Sequence, residues 1–449
     1  MSLIYTILIF ILTISIIVTF HEFGHYIAAR ICGVKVLEFS IGFGRRLIGK
    51  KIGKDKTDYK ICVLPLGGYV KMLDEREGKV KDFEKNRSFN NQTLLKRSII
   101  VFSGPLFNFI LAIFFYFLIF LSGYSGFKPS VGSLINNSVA ENIGVIEGDI
   151  ISSVNSKNVM TWSDAILQTI KNASEKKNIN LEVIRNNEVI KLKEIDYKKI
   201  NFDSKNIFED IGILNFASKS VTVGYVEKNS AAYFSGLLVG DKILTVDKIK
   251  VKNWNEIVNF IKKNPGVKLN LYILRNNYNK TISVTPDKVM NNSLEIGRLG
   301  ISPFINDVEI ANNKVNVKYG IFESFKLSTY KTYDFTLLTF NFIFRLIKGD
   351  VSSNSISGPV GIAGYASESF SSGYTNFLGL LAMLSISIGI LNLLPIPMLD
   401  GGHLMYYLVE FVTRRPIPDK VQLIFQQVGM VFLILLSIFA LYNDLLRIM

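Results

Sequence analysis

Residues 2–25 read SLIYTILIFILTISIIVTFHEFGH, an uncharged run of 19 residues that leads directly into a cluster of ionisable side chains. A helix needs roughly 17–25 apolar residues to cross a bilayer, so the run predicts a membrane span. No basic stretch comes before it and no small-residue cleavage site follows it, which favours a retained span over a cleaved signal peptide. The stretch therefore predicts a transmembrane helix that ends in chemically active residues.

Three other stretches predict further spans, at Ser98–Phe127, Ser369–Ile396 and Val421–Asn443. A fifth stretch, Tyr333–Ile347, holds only ten uncharged residues in a row and is expected to be an interfacial helix. The composition, with 49% hydrophobic residues and 33 Phe, indicates a membrane protein that carries soluble parts. The predicted fold class is a polytopic α-helical membrane protein with four transmembrane helices.

Lysine and arginine in the short loops indicate how these spans are oriented. Residues 26–97 hold 17 Lys/Arg against 8 Asp/Glu, and Arg414, Arg415 and Lys420 lie between the third and fourth spans. Short loops rich in basic residues stay on the cytoplasmic side of a membrane. Both termini and the long segment between the second and third spans are therefore expected on the outer side of that membrane.

The long segment contains an internal repeat with an offset of 92 residues. Gly144-Val-Ile-Glu-Gly148-Asp149 recurs as Gly236-Leu-Leu-Val-Gly240-Asp241, and Trp162 recurs as Trp254. Each copy predicts a strand, a β stretch and then a helix that opens near the tryptophan, which together make a compact domain. The pattern resembles bacterial PDZ domains, small α/β domains that bind extended peptides at a sheet edge.

The predicted domain organisation has five parts, which we give in chain order. Residues 1–127 hold spans one and two with a cytoplasmic, membrane-associated, β-rich loop. Two PDZ-like domains follow at 128–215 and 216–292. Residues 293–366 link them to the membrane and contain the interfacial helix, and residues 367–449 hold spans three and four.

The motif His21-Glu22-Phe23-Gly24-His25 lies at the end of the first span. In a helix, His21 and His25 share one face, so both imidazoles can hold one Zn²⁺ at about 2.0–2.1 Å. Glu22 then points toward the open metal position, where it can take a proton from water. The alternative is a helical face whose two histidines only satisfy hydrogen bonds, but ionisable groups at membrane depth are costly and usually functional.

A catalytic zinc site needs three protein ligands and an open position for water. Asp400 is the only carboxylate in the stretch Ser369–His403, and two prolines just before it break any helix. Irregular backbone at membrane depth lines a cavity or is buried in protein, so this segment is expected to bring Asp400 to the metal. The alternative is a solvated Asp-Gly turn. His403 is a possible fourth ligand, but a role beside the ligands is favoured because four ligands would displace the water.

The remaining bulk properties exclude other classes of function. The formal net charge is +14, yet no nucleic-acid-binding motif is present, so no nucleic-acid partner is expected and the basic loops are interpreted as facing anionic membrane lipids. The chain has only two cysteines, so neither a disulfide framework nor a four-thiolate metal site is expected.

Taken together, these motifs resemble the site-2 proteases, and closely the bacterial regulator-of-sigma-E type with tandem PDZ domains. The resemblance covers nearly the whole chain. It is carried by H-E-F-G-H, by Pro65–Met72 and Gly104–Asn108, by Ser357–Ala363 and by the Asn-x-x-Pro-x-Pro-x-Leu-Asp-Gly element at Asn392–Gly401.

The resemblance implies one Zn²⁺ per chain with His21, His25 and Asp400 as ligands and Glu22 as the catalytic base. It also implies that Asn392 binds substrate and that a membrane-dipping β-loop, which contains Gly67, Gly68 and Tyr69, pairs with unwound substrate. The implied substrates are membrane-spanning proteins already shortened by another protease, such as anti-sigma-factor regulators, or remnant signal peptides. The PDZ domains would contact substrate ectodomains or C-terminal peptides.

Other interpretations remain open at this point. A catalytically silent scaffold would use its PDZ domains to recruit envelope proteins, but no catalytic or ligand position is lost from the motif. A transporter would need matching charged residues in the second and fourth spans. A soluble-type metalloprotease with an anchor would not divide its motif between two spans.

Overall fold

The computed structural model describes residues 3–135, 137–200, 207–215, 220–291, 294–349 and 357–448. The chain divides into two compact units. We call Met1–Tyr124 together with Lys318–Met449 the membrane unit, and Ser125–Val317 the insert unit. The border at Val317 falls inside the segment predicted as a linker. The domain boundaries predicted after residues 215 and 292 adjoin stretches outside the described residues, as does Ser2 of the first predicted span, and the individual domain limits remain predictions.

The membrane unit begins with two long helices joined by a β-hairpin. Its elements are α1 (Leu3–Ile31), β1 (Val36–Ile52), β2 (Thr57–Met72), a 3₁₀-helix (Asp82–Arg87) and α2 (Leu94–Ser122).

The insert unit follows as an alternation of short strands and helices. Its elements are β3 (Tyr124–Phe127), β4 (Val131–Leu134), α3 (Val139–Ile143), β5 (Ile150–Val154), β6 (Lys157–Asn158), α4 (Trp162–Ser174), β7 (Leu181–Arg185), β8 (Glu188–Lys191), a 3₁₀-helix (Tyr197–Lys199), α5 (Ile207–Asp210), β9 (Ile213–Asn215), β10 (Val223–Val226), α6 (Ala231–Phe234), β11 (Lys242–Val246), β12 (Ile249–Lys250), α7 (Trp254–Lys263), β13 (Leu269–Arg275), β14 (Tyr278–Val284), β15 (Asp287–Asn291), β16 (Leu294–Arg298), β17 (Ile301–Pro303), α8 (Asp307–Asn313) and β18 (Lys314–Val317).

The chain then returns to the membrane unit with helices alone. They are α9 (Ile321–Lys348), α10 (Pro359–Ser371), α11 (Tyr374–Leu393), α12 (Asp400–Thr413) and α13 (Asp419–Ile448). Inside the unit, α2 is the central element and packs against α1, α9, α11 and α12.

Within the described residues, four helices are long and apolar enough to cross a membrane: Leu3–Ile31, Leu94–Ser122, Tyr374–Leu393 and Lys420–Leu446. Each contains most of one predicted span, so the expectation of four such helices is confirmed. The prediction was wrong about three ends, since the third helix stops at Leu393 rather than Ile396. The second helix stops at Ser122 because Gly123 takes a φ of 91°, and Gly373, with a φ of 112°, separates Ser369–Ser371 from the third.

The segment predicted as a short interfacial helix is longer in the structure. Helix α9 extends over 28 residues, from Ile321 to Lys348, and presents buried Ser324, Ser328 and Thr332 at helical spacing. Helix α9 packs on α2, where the ring of Phe335 stacks on that of Tyr116 with 6.0 Å between the centroids. Its position at a membrane surface remains a prediction.

The 92-residue repeat is also a repeat of strand order. One four-stranded sheet has the order β6-β5-β7-β8 and the other β12-β11-β13-β14. Each copy adds a separate strand pair, β4 with β9 and β10 with β17. Each has its own apolar core, around Leu181 in the first copy and Leu271 in the second, where a buried side chain of this type contributes about 1.5–3 kcal/mol.

The repeated Gly-Asp pairs are structural. Asp149 and Asp241 are buried, and each carboxylate accepts two hydrogen bonds from one guanidinium, of Arg185 at 2.9 Å and of Arg275 at 2.6 and 2.7 Å. The hydrogen bonds to Asp241 raise the pKa of the Arg275 side chain above its ordinary value. Each pair therefore connects the end of a strand, β7 or β13, to the loop that precedes β5 or β11 in the same sheet.

Candidate active site

The first helix places its two histidines one turn apart. His21 and His25 lie at positions i and i+4 of α1, so their imidazoles share one face. The two Nε2 atoms are 3.2 Å apart, and the ring planes are inclined by 84°. Both side chains are nearly buried, with 10% and 12% of their surface exposed. Two imidazole nitrogens held this close need a partner between them, either a proton or a metal ion.

An irregular turn brings a carboxylate to this pair. Helix α11 ends at Leu393, before Pro395-Ile-Pro397, and Met398 takes a φ of 90°. A non-glycine residue in this left-handed region costs about 1–3 kcal/mol, and such strain persists only where its surroundings fix the turn. Asp400 follows two residues later as the first residue of α12. The helix break expected from the prolines is present. The residues after the break bring Asp400 beside the two histidines.

His21, His25 and Asp400 form a compact donor set. Asp400 Oδ2 lies 3.2 Å from Nε2 of His21 and 3.4 Å from Nε2 of His25, so with the 3.2 Å between the imidazoles the three atoms make a nearly equilateral triangle. Ligand atoms around a tetrahedral Zn²⁺ at about 2.0–2.1 Å are themselves about 3.3 Å apart. Oδ2 is buried and has no hydrogen-bond partner in the described part of the chain. The triangle and the free carboxylate oxygen both fit Zn²⁺.

A backbone carbonyl fixes the tautomer of His25. Its Nδ1 lies 2.8 Å from the carbonyl oxygen of Ile100 in α2, which can only accept a hydrogen bond. Nδ1 therefore carries the proton, and Nε2 keeps its lone pair toward the triangle. The same carbonyl accepts a 2.6 Å hydrogen bond from the Ser103 hydroxyl, which helps to hold it in place.

Asn108 contacts Nδ1 of His21, as Ile100 contacts Nδ1 of His25. The sequence alone assigned Asn108 no role. Its side-chain nitrogen lies 3.3 Å from His21 Nδ1, while its Oδ1 is buried without a partner in the residues that the structure describes. The two ends of an amide side chain are assigned from hydrogen bonding. If the amide is rotated by 180°, Oδ1 accepts a hydrogen bond from the Nδ1–H of His21. The Nε2 atom of His21 then keeps its lone pair and can bind a metal. Asn108 would then orient His21 as Ile100 orients His25.

Helix α2 reaches the histidines because residue 104 is a glycine. A Cβ atom at Gly104 would lie 2.9 Å from Cε1 of His21 and would overlap the ring of His25. Any larger residue would push α2 away from α1. The Gly-Pro-Leu-Phe-Asn segment that contributed to the family resemblance therefore supplies both the close approach and, four residues later, Asn108.

Glu22 lies beside the triangle in a cavity of about 200 Å³ that His25 and Asp400 also line. Strand β2 passes directly over it, since a Cβ atom at Gly68 would come within 3.0 Å of Cγ of Glu22. Residues Gly68–Met72 pair along one edge with Val36–Ile41 of β1. Among the described residues no strand pairs with their other edge. An open strand edge therefore borders the cavity.

The other predicted residues are placed around this centre. Gly67 packs on the ring of Phe43, and the hydroxyl of Tyr69 donates to Glu38 at 2.8 Å. Asn392 lies in the last turn of α11, is partly exposed, and makes no side-chain hydrogen bond in the portion of the chain that is described. It is not one of the described residues that line the cavity.

An ion pair that the sequence did not indicate ties α12 to α2. Arg97 donates to Glu410 at 2.6 Å, and its guanidinium lies over the ring of Tyr407, 5.0 Å from the centroid. The partners are 313 residues apart in the chain, so no local pattern could reveal them. Because Asp400 begins the same helix, this contact holds the helix that carries the carboxylate.

A zinc-type donor set next to a glutamate, built on helices apolar enough for a bilayer, defines the class of membrane-embedded metalloproteases. The comparisons with known proteins agree with that class. The family model described as "Peptidase family M50" matches residues 9–436. The chain therefore belongs to peptidase family M50 and is a zinc metalloprotease, and the resemblance stated from its motifs is confirmed.

Individual relatives are similar over their full length. The chain is 36% identical over 443 residues to a Vibrio cholerae protein named "Putative zinc metalloprotease", with 98% of each chain covered. It is 36% identical over 442 residues to the "Regulator of sigma-E protease RseP" of Escherichia coli, again with 98% of each covered. Among solved structures, the PDZ domain of an SdrC-like protein from Listeria innocua covers 19% of this chain and 96% of itself at 21% identity, with a TM-score of 0.17, too low for an argument about the fold.

Proposed function

We propose that this protein binds one Zn²⁺ per chain through His21, His25 and Asp400 and hydrolyses peptide bonds within the membrane, with Glu22 as the base. The observation that supports the proposal most strongly is the triangle of two imidazole nitrogens and one carboxylate oxygen, with edges of 3.2–3.4 Å, beside Glu22. A site with three protein donors leaves the fourth position of a tetrahedral metal open, as catalysis requires.

Each residue of the centre has a distinct task in this reaction. Bound Zn²⁺ supplies a Lewis acid next to the scissile bond. Glu22 is adjacent to His21 in sequence but outside the donor triangle, so its carboxylate can take a proton from the attacking water and pass it to the leaving nitrogen. Ile100 and Asn108 keep the two imidazoles oriented so that their Nε2 lone pairs face the metal.

The substrate is a transmembrane segment that has been unwound locally. A helix in lipid satisfies its own backbone hydrogen bonds, so its peptide bonds are closed to attack. The open edge of Gly68–Met72 offers backbone groups that can replace the lost hydrogen bonds, as in strand addition, next to Glu22. Gly67, Gly68 and Tyr69 belong to this proposed docking strand. The unpaired amide of Asn392 is proposed as a further contact to the substrate backbone.

The insert unit is proposed to carry two PDZ domains on the periplasmic side of the inner membrane. The repeated strand orders and the separate cores of the two copies support this assignment. Placed outside, the two domains would exclude substrates that still have a large folded ectodomain, and their grooves would contact ectodomains or C-terminal peptides.

The proposed substrates are single-span proteins shortened beforehand by another protease. Anti-sigma-factor regulators are one class, because several relatives are named as regulators of sigma E. Remnant signal peptides are a second class, since they are short transmembrane segments without an ectodomain. The predicted topology puts the metal centre near the cytoplasmic side, with both termini outside.

The replacement Glu22→Gln tests the role of the base. It keeps the size and the hydrogen-bonding capacity of the side chain but cannot accept the proton of water. Loss of general acid–base catalysis lowers rates by about 10²–10⁴-fold, so we expect that much less cleavage of a transmembrane peptide containing helix-breaking residues. Zinc per chain, measured by elemental analysis, should stay at the wild-type level.

The matched control is Glu323→Gln, which neutralises an exposed carboxylate in the first turn of α9, away from the cavity lining. It should cleave at the wild-type rate. The mechanism is wrong if Glu22→Gln also cleaves at that rate, and the ligand assignment is wrong if His21→Ala with Asp400→Ala retains full zinc.

A further inference from the structure

His403 shares the cavity of the metal centre without belonging to the donor triangle. It lies three residues after Asp400 on α12, so both side chains are on the same face of that helix. It lines the cavity of about 200 Å³ together with Glu22, His25 and Asp400. Glu22 and this imidazole therefore border the same cavity.

The geometry argues against a fourth metal ligand. In the described part of the chain, only His21, His25 and Asp400 place their ligand atoms within 4.8 Å of one another. A fourth protein ligand would also close the position that water must occupy. The ring of His403 is thus close enough to line the cavity but outside the set of atoms that could share one ion.

The hydrogen bonding of the His403 imidazole bears on its role as well. Among the residues that the structure describes, its ring nitrogens make no hydrogen bond. Its aromatic contact is an edge-on arrangement with Tyr406, with 6.0 Å between ring centroids. The ring nitrogens of His403 are not among the buried side-chain atoms that lack a partner, so an N–H on this ring stays accessible. Because the ring also lines the cavity, that N–H is available to an acceptor that arrives with the substrate.

We propose that His403 donates a hydrogen bond to the carbonyl oxygen of the scissile peptide bond. The inference rests on the proposed function of the metal centre. As the oxygen of water adds to the carbonyl carbon, the C=O π electrons move to the carbonyl oxygen, and Glu22 takes a proton from the water. When the C–N bond breaks, that proton goes to the nitrogen, so water is consumed as one hydroxyl on the new acid and one hydrogen on the new amine. His403 keeps its proton throughout and stabilises the charge on oxygen.

The contribution of such a donor is concentrated in the transition state. A hydrogen bond to an oxygen that becomes negatively charged strengthens during the reaction, so it raises kcat more than it tightens substrate binding. Removing one donor of this kind lowers kcat by about 10²–10³-fold in other hydrolases. Replacing a residue that only fills space would not lower kcat much more than it weakens substrate binding.

The test compares His403→Leu and His403→Gln with Leu408→Ala, an exposed position on the same helix. In detergent-solubilised full-length protein, zinc per chain, kcat and KM are measured on a transmembrane peptide with helix-breaking residues. We expect His403→Leu to retain zinc and to lose on the order of 10²-fold in kcat. His403→Gln keeps an N–H donor and should recover at least about a tenth of the wild-type kcat, while Leu408→Ala should match wild type.

A second readout does not depend on turnover. In the Glu22→Gln background, capture of uncleaved peptide should be nearly the same with and without the additional substitution His403→Leu, because the donor acts mainly on the transition state. A loss of zinc in His403→Leu would overturn the proposal in favour of a ligand role. An unchanged kcat, or a loss of capture as large as the loss in kcat/KM, would overturn it as well. Absence of zinc from the wild-type protein would instead contradict the metal assignment on which the inference rests.

Discussion

The buried carboxylates of the two units differ in what neutralises them. In the insert unit, Asp149 and Asp241 are 1% exposed, and each is held by two hydrogen bonds from an arginine. In the membrane unit, Asp400 is 18% exposed at the side chain, faces two imidazoles, and keeps an oxygen without a hydrogen bond in the described residues. The insert carboxylates are paired with arginines, which are always charged, whereas Asp400 faces imidazoles that are cationic only when protonated.

The difference separates a structural carboxylate from a functional one. A buried charge is tolerated when it is paired and hydrogen-bonded, and the two arginine pairs meet that condition within the fold. Asp400 meets it either when one of the two imidazoles is protonated or when a metal ion is bound between the three side chains. The distances around Asp400 match the spacing of zinc ligands, whereas the bidentate arginine pairs leave no room for an ion. A motif search alone would rank all three aspartates as similar Gly-Asp or Asp-Gly elements.

The largest effect is expected from Asp400→Ala. Removing one of three proposed ligands should strip zinc from the protein, and cleavage should fall by several orders of magnitude. Lewis-acid catalysis contributes several kcal/mol to the transition state, and each change of about 1.4 kcal/mol is a factor of ten in rate. Zinc per chain by elemental analysis and cleavage of a transmembrane peptide measure the two consequences separately.

Asp241→Ala is the matched control for this change, because it also removes a buried carboxylate but in the insert unit. It should leave zinc content at the wild-type level. Equal zinc loss in both variants would mean that Asp400 acts on folding rather than on the metal, and the contrast between the two kinds of carboxylate would disappear.

The next largest effect is expected on the stability of the insert unit. Arg275→Ala leaves the buried carboxylate of Asp241 without its cation. Breaking a fully buried pair costs about 3–5 kcal/mol, and because the Arg275 side chain is 22% exposed we expect about 2–3 kcal/mol. For a unit of this size the midpoint of thermal unfolding should fall by roughly 5–10 °C.

Tryptophan fluorescence can follow this unfolding selectively, because the chain has two tryptophans, Trp162 and Trp254, one in each repeat. Arg185→Ala should destabilise the first repeat in the same way, and a Trp162→Phe or Trp254→Phe background shows which repeat responds. Zinc content should not change. If the arginine variants unfold at the wild-type temperature, the repeated Asp–Arg pairs are not the structural element that their burial indicates.

Much of this organisation could be predicted because its signals are local. A membrane span needs only a continuous apolar run, and a histidine pair on one helix face needs only a spacing of four residues. Agreement between the orientation of the first and third spans then predicted that Asp400 would meet His21 and His25, which the structure shows. The 92-residue offset predicted two copies of one unit, and the structure gives both copies the same strand order, which the sequence alone did not predict.

The supporting contacts could not be predicted because they join distant parts of the chain. Ile100 acts through a backbone carbonyl, which no side-chain pattern reveals. Arg97 and Glu410 meet across 313 residues. The helix ends at Ser122 and Ser371 depend on the backbone angles of the glycines after them rather than on hydropathy.

The smallest effect is expected at Asn108. This residue is fully buried, and its Oδ1 has no hydrogen-bond partner among the described residues. It therefore resembles Asp400, whose carboxylate also keeps an oxygen without a hydrogen bond, more than it resembles Asp149 or Asp241. If Oδ1 of Asn108 accepts the Nδ1 proton of His21, Asn108→Leu should weaken zinc binding by about 10–100-fold, the usual effect of removing a partner behind a metal-binding histidine. Asn108→Asp keeps an acceptor at the same place and should bind zinc nearly as well as wild type. Competition with a chelator of known affinity measures both variants.

If instead the amide nitrogen faces His21, the ring proton would lie on Nε2 and oppose the metal, so Asn108→Leu should bind zinc no worse than wild type. Weak binding by Asn108→Leu, with recovery in Asn108→Asp, would therefore fix both the orientation of the amide and the tautomer of His21.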